Sequence, residues 1–200
     1  MCARFLRLEE VIAILWEWNK KTGVWLTPED FQKKMKDGTI LPTDYTAVFV
    51  RHDNEVLPEA MRWGLRRDWT KTPIINTRIE SVTEKPTYKN MISLQNRVVV
   101  PSAGFIEYAK TELDGKVKKV PFTFKEPHEK KLYMAGLYEH TGDGDIFTIL
   151  TTEANASVEQ VHDRMPVVLS KEESTKWLSG KLSFEDISDR EKVNLDRFAS

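Results

Sequence analysis

The chain has 200 residues, 40% of them hydrophobic and 30% charged, with a net charge of −1. That composition suits one globular domain, or two small ones, and excludes a disordered or collagen-like chain and a global field that gathers nucleic acid, so any nucleic-acid site must be a local basic groove. A single cysteine, Cys2, excludes an internal disulfide and a cysteine-rich zinc site.

In chain order, Leu8, Val11, Ile12, Leu15 and Trp18 recur at helical spacing, which predicts an amphipathic helix to about Lys20, ended near Gly23. Thr27-Pro28-Glu29-Asp30 predicts the start of a second helix, with threonine as N-cap and acids at the positive end of the dipole. Tyr45 to Val50 is β-branched and aromatic and reads as a strand. Met61 to Arg78 reads as irregular. Pro86 to Gln95 holds a short helix. Arg97 to Pro101 reads as a strand, bent or placed at a sheet edge by its proline. Phe122 to Phe124, Leu132 to Tyr138 and Ile146 to Thr151 follow as strands, with a turn at Asp143-Gly144. Asn155 is placed to cap a short helix, and Met165 to Leu169 reads as a strand. Ser170-Lys-Glu-Glu173 is a capping box that opens a helix through Leu178. From Lys181 the chain reads as a charged tail. With no internal repeat or linker, the expectation is one α+β domain with a curled, mostly antiparallel, barrel-like sheet flanked by helices.

The chemistry-bearing residues start at position two. Loss of Met1 would leave Cys2 with an α-amine and a thiol on adjacent carbons. The amine condenses with an aldehyde to an imine, and the thiol then closes a five-membered thiazolidine. An α-amine has a pKa of about 7.7–8.0 against about 10.4 for lysine, so far more of it is nucleophilic at neutral pH. The alternative is an idle cysteine on a frayed terminus. Glu107 lies in the apolar stretch Ala103-Gly-Phe-Ile-Glu-Tyr108, as either a solvated strand residue or a carboxyl with a raised pKa. Asn76 and Arg78, two apart, face one side of an extended segment. Trp63 and Trp69 interleave with Arg62, Arg66 and Arg67, a pattern that serves base stacking with phosphate contact or, equally, a core loop. The four histidines lack metal-ligand spacing, and His162 by itself reads as a structural histidine. No cofactor motif is present, and no apolar run spans a bilayer.

These stretches resemble the SRAP (SOS response-associated peptidase) family. The resemblance rests on Met1-Cys-Ala-Arg-Phe5, Arg62-Trp-Gly-Leu65 with Trp69, Ile75-Asn-Thr-Arg78 with Glu80, Val99-Val-Pro-Ser-Ala-Gly-Phe-Ile-Glu-Tyr108, Ala135-Gly-Leu-Tyr-Glu139, Phe147 to Ala154 and Val161-His-Asp-Arg-Met-Pro166. It implies a protein that senses abasic sites in single-stranded DNA and crosslinks to their aldehyde through Cys2, shielding the lesion, with removal of its own first residue and weak strand cleavage. Carried to matching positions, it implies Cys2 as nucleophile, Asn76 orienting the amine or the opened sugar, Glu107 as proton-transfer group and His162 assisting. Arg4 and Arg78 would hold phosphates, with Trp63 and Trp69 lining the groove; Arg66 and Arg67, which depart from the family pattern, either add phosphate contacts or form a solvated loop. No metal or cofactor is implied. The expectation is a cytoplasmic, nucleoid-associated monomer with no membrane partner. Ala3 stands where the family has glycine, Arg66-Arg67-Asp68 where it has a proline, Thr77 where it has alanine, and Ile106 and Tyr108 where tyrosine and tryptophan are common. An N-terminal nucleophile peptidase and a noncatalytic single-strand binder are the competing readings of the same residues.

Overall fold

The structure, a computed structural model, describes residues 2–22, 38–113 and 116–199. The helix expected from Thr27 lies outside the described residues. In chain order the elements are β1 (Arg4–Leu6), α1 (Glu9–Thr22), β2 (Thr39–Ile40), β3 (Tyr45–His52), β4 (Glu55–Trp63), β5 (Leu65–Arg67), β6 (Thr70–Ile74) and β7 (Asn76–Arg78). A 3-10 turn over Ile79–Ser81, α2 (Pro86–Ser93), β8 (Arg97–Ser102), β9 (Gly104–Leu113), β10 (Lys116–Lys125) and β11 (Leu132–Glu139) follow. Then come β12 (Ile146–Glu153), β13 (Arg164–Pro166), β14 (Val168–Leu169), α3 (Lys171–Leu178) and β15 (Asp196–Ala199).

Strands β12, β4, β3, β8 and β11 are joined in that order, and β11 pairs back onto β12 to close a ring. The expected curled α+β architecture is therefore present. Inside the ring, Val48, Val50, Met61, Trp63, Val98, Met134, Phe147 and Ile149 form one core with Phe5, Phe105 and Phe124. The last three come from a second sheet in the order β15-β10-β9-β1-β2. Outside the ring, α1 lays Val11 and Leu15 on Ala47 and Ala60, whose small side chains let the helix approach. On another side Trp177 of α3 is fully buried and donates from Nε1 to the Val98 carbonyl. The expected capping box is present, with the Glu173 amide donating to Ser170 Oγ and the Ser170 amide to the Glu173 carboxylate.

Four expectations are corrected. Met61 to Arg78 is not irregular: it holds the end of β4, the β5–β6 hairpin and β7. Its arginines and tryptophans mask the strand alternation, because several are spent on specific partners and not on one wet face. β8 is not an edge strand; it lies between β3 and β11, and Pro101 pairs across to Tyr133 two residues beyond the single β3 register pair, Phe49–Val99. The segment after Lys181 is not a loose tail. Phe184, Ile187 and Leu195 are buried, and β15 extends the second sheet by pairing with β10. Its apolar residues are spaced for docking on a preformed surface, so neither helical nor strand periodicity betrays them. This segment also reaches the site: Asn155 Nδ2 donates to the carbonyls of Arg190 and Val193, which anchors the loop that leads to His162. That loop is a series of turns and not the expected regular helix.

Candidate active site

β1 enters the second sheet antiparallel to β9, with Arg4 opposite Ile106 and Phe5 opposite Phe105. Gly104 makes this approach possible: its φ is +153°, and a Cβ there would lie 2.7 Å from the Phe124 carbonyl oxygen. With Phe5 and Phe105 driven into the core, the residues just before β1 are drawn in behind them. Cys2 is 1% exposed. It is no frayed terminus. Ala3 is not among the described residues with positive φ, so alanine is unstrained in the place of glycine.

Asn76 comes from β7, which runs parallel to β12 with Asn76 opposite Ile149. The indole N–H of Trp63 donates to the Ile75 carbonyl at 2.8 Å and holds the start of this strand. Thr77 turns inward, where its hydroxyl bonds Thr148 at 3.0 Å, so threonine in place of alanine is satisfied by a buried hydrogen bond. Asn76 then faces the terminus, and its Nδ2 donates to the Cys2 carbonyl at 2.6 Å. The other end of that amide, Oδ1, is buried without a hydrogen-bond partner among the described residues. It is an acceptor held beside the Cys2 backbone.

Glu107 is 3% exposed, on the inward face of β9. Burial raises its pKa from the ordinary 4.5 to about 7, and the positive amino terminus only partly offsets that. The solvated alternative for Glu107 is thereby set aside. Burial also pushes the Cys2 thiol well up, with the Glu107 charge acting in the same direction. Cys2 is therefore a thiol and not a thiolate at neutral pH, and it needs a base.

His162 follows the Asn155 loop and is one-quarter exposed at its side chain. Burial lowers its pKa, and the amino terminus adds to that effect. The backbone amide of Arg164 donates to His162 Nδ1 at 3.0 Å. The exposed Asp163 carboxylate lies 2.8 Å from the same nitrogen. A ring nitrogen that accepts from an amide cannot also donate to a carboxylate, and the amide is the fixed partner. The neutral ring therefore carries its proton on Nε2.

Sequence reasoning missed the part played by Arg164 and Glu80. The 6%-exposed Arg164 makes a bidentate pair with Glu80 at 2.8 Å on each arm and also donates to the Thr151 carbonyl. This ties the segment that bears Asn76 and Arg78 to the segment that bears His162.

The expected nucleic-acid residues separate into two sets. Arg4, Arg66, Arg78 and Trp69 are exposed, Trp69 by 70%. Trp63 is 0% exposed, packed edge-on against Phe5 at 5.0 Å, so it has no face to offer a base and is corrected to a core residue. Arg67 is half-buried and clamps Glu139 at 2.7 and 2.8 Å, which makes it an internal tie and not a free phosphate contact. Arg66 instead lines an open pocket of about 390 Å³ with Arg62 and Lys71. The tryptophans thus carry opposite expectations. Trp63→Ala should cost about 3–5 kcal/mol of stability, read from the denaturant midpoint. Trp69→Ala should leave that midpoint in place.

A family model described as SOS response associated peptidase (SRAP) matches residues 1–195. The chain belongs to the SRAP family. SRAP relatives include the abasic site processing protein YoqW of Bacillus subtilis (strain 168), 29% identical over 191 residues, covering 90% of this chain and 81% of that protein. The abasic site processing protein YedK of Escherichia coli (strain K12) is 25% identical over 197 residues, covering 94% and 84%. The abasic site processing protein HMCES of Xenopus tropicalis is 30% identical over 147 residues, covering 60% of this chain and 44% of that longer protein. Among solved structures, a protein from Bacteroides thetaiotaomicron superposes with a TM-score of 0.71 at 22% identity, covering 99% of this chain and 91% of that one. A phage-related protein from Bordetella bronchiseptica gives 0.70 at 21% identity, covering 100% and 94%. These two likenesses concern the fold alone.

Proposed function

We propose that this SRAP protein processes abasic sites in single-stranded DNA by forming a thiazolidine crosslink through Cys2 once Met1 has been removed. The observation that carries the reading is the fixed position of Cys2: its carbonyl is held by Asn76 at 2.6 Å while its thiol is buried beside a carboxyl whose pKa is about 7. Its relatives' names supply the lesion.

The α-amine of Cys2 adds to the aldehyde carbon of the ring-opened sugar. The resulting carbinolamine loses water to give the imine, and this step needs an acid at the departing hydroxyl. Glu107 is about half protonated at neutral pH and can give that proton. The thiol then adds to the imine carbon, its proton passing by way of Glu107 to the nitrogen. The balance is aldehyde plus cysteine giving thiazolidine plus water. Asn76 Oδ1 accepts from the amine and aims its lone pair. Neutral His162, with its proton on Nε2, donates to the sugar oxygen. The buried, closed arrangement keeps bulk water from the imine. Among the described residues no helix is long and apolar enough to cross a membrane.

The test is a denaturing gel with intact mass. A band that survives denaturant, only on abasic single-stranded oligonucleotide, with a mass gain of DNA minus water, supports the crosslink. Binding that washes off under denaturant supports the passive binder, and cleavage of peptides without DNA supports the peptidase. Arg4 and Arg78 supply the electrostatic hold. Each Ala variant should weaken binding and flatten the slope of log affinity against log salt by about 0.7 per lost phosphate contact. An unchanged slope in both variants would remove them from the interface.

A further inference from the structure

We propose that the outer face of the second sheet is a track for single-stranded nucleic acid that leads away from Cys2; this rests on the reading that Cys2 takes a lesion in a single strand. The antiparallel register puts Arg4 opposite Ile106, Tyr108 opposite Pro121, Lys110 opposite Lys119 and Thr123 opposite Phe198. Residues directly opposite share a face. Phe105, Glu107 and Phe124 turn inward and are buried, so the alternate set of Arg4, Tyr108, Lys110, Lys119, Lys125 and Phe198 turns outward. Rings and cations interleave there. The Arg4 guanidinium lies over the Tyr108 ring at 5.4 Å, and the Lys125 ammonium over the half-exposed Phe198 ring at 5.6 Å.

Two features point to a polyanion as the occupant. Lys110 and Lys119 are both exposed and directly opposed, a like-charge pair that works against the sheet and that an anion would relieve. The face holds Arg4, Lys110, Lys119 and Lys125 against two acids, Glu112 and Asp196. It is also continuous with the reactive end. Arg4 lies two residues from Cys2, and the four residues from Ile106 to Lys110 carry the face about 13 Å along β9. A base stacks on Tyr108 or Phe198 without regard to sequence, and phosphates meet the lysines.

The experiment measures affinity for single-stranded oligonucleotides in which the lesion is fixed and each flank is lengthened in turn, with Lys110→Gln/Lys119→Gln and Tyr108→Ala proteins whose melting curves match the parent. Lengthening one flank should tighten parent binding by about tenfold. The double lysine variant should lose that gain and flatten the salt slope by about 1.4, two phosphates at about 0.7 each. Tyr108→Ala should lose most of the gain with the slope unchanged. All variants should crosslink a minimal oligonucleotide, with only a few nucleotides around the lesion, at the parent rate. Retention of the length gain and of the slope in the lysine variant overturns the track. So does an equal gain from a duplex flank, or a change in solution mass showing that a second copy covers the face. A parent protein that fails to crosslink any abasic strand overturns the crosslinking reading alone; the length and salt data still decide the track.

Discussion

Cys2→Ala is expected to abolish the stable adduct while leaving an imine that borohydride traps. The substitution keeps the α-amine, and the Asn76 contact is to the backbone carbonyl, so amine chemistry survives it. What disappears is ring closure. The open imine is reversible and prone to β-elimination, so strand nicking should rise as crosslinking falls. Cys2→Ser should behave alike, because a hydroxyl closes a less favourable ring. Blocking the amine, by a retained Met1 or a tag, should remove both adducts although the thiol is intact. In rate terms the block should approach the limit of detection, since intramolecular closure depends on an imine that no longer forms. Time courses on abasic single-stranded oligonucleotide with and without borohydride read all three proteins. A tagged protein that crosslinks at the parent rate would disprove the amine-first order.

Glu107→Gln should slow crosslinking by about a hundred- to ten-thousandfold, the range for a positioned acid or base, with noncovalent affinity nearly unchanged. The same substitution should stabilise the fold in alkaline buffer. The folded carboxyl has its pKa raised from 4.5 to about 7 by burial, so between those values the folded state binds more protons than the unfolded one. Stability therefore falls as pH rises through that window, and the full cost is present above about 7. The displacement amounts to about 3 kcal/mol as an upper figure. Glutamine carries no charge to bury and escapes it, so the two proteins should converge near pH 4 and separate by pH 8. Urea titrations across that range, paired with crosslinking rates, check both halves. A variant with parent kinetics but lower affinity would make Glu107 a structural residue. The rate profile itself should bend near pH 7 in the parent and lose that bend in Glu107→Gln.

The fold tolerates an unfavourable buried carboxyl beside its single cysteine. The Arg164 clamp on Glu80 has the complementary role. It commits two charges to tying the segment that bears Asn76 to the segment that bears His162.

The sequence by itself determined the local and the chemical. The capping box at Ser170, the helix from Glu9 and the strands from Tyr45, Leu132 and Ile146 follow from patterns within a dozen residues, where propensity and periodicity act. The candidate site residues were legible only through the family resemblance: taken singly, Cys2, Asn76 with Arg78, Glu107 and His162 read equally as structural, and the joint order of the SRAP motifs singled them out. Only the tertiary structure decided which groups are buried and which are free. Trp63 and Trp69 stand in the same run, yet ring closure by β4 and β12 sends one into the core and the hairpin turn leaves the other in water. Arg66 and Arg67 are neighbours, yet Glu139, 72 residues away, takes only the second. The C-terminal segment read as a solvated tail because its docking surface is built from strands more than thirty residues upstream. Burial and pairing at such separations depend on the closed barrel, and no window of sequence contains them.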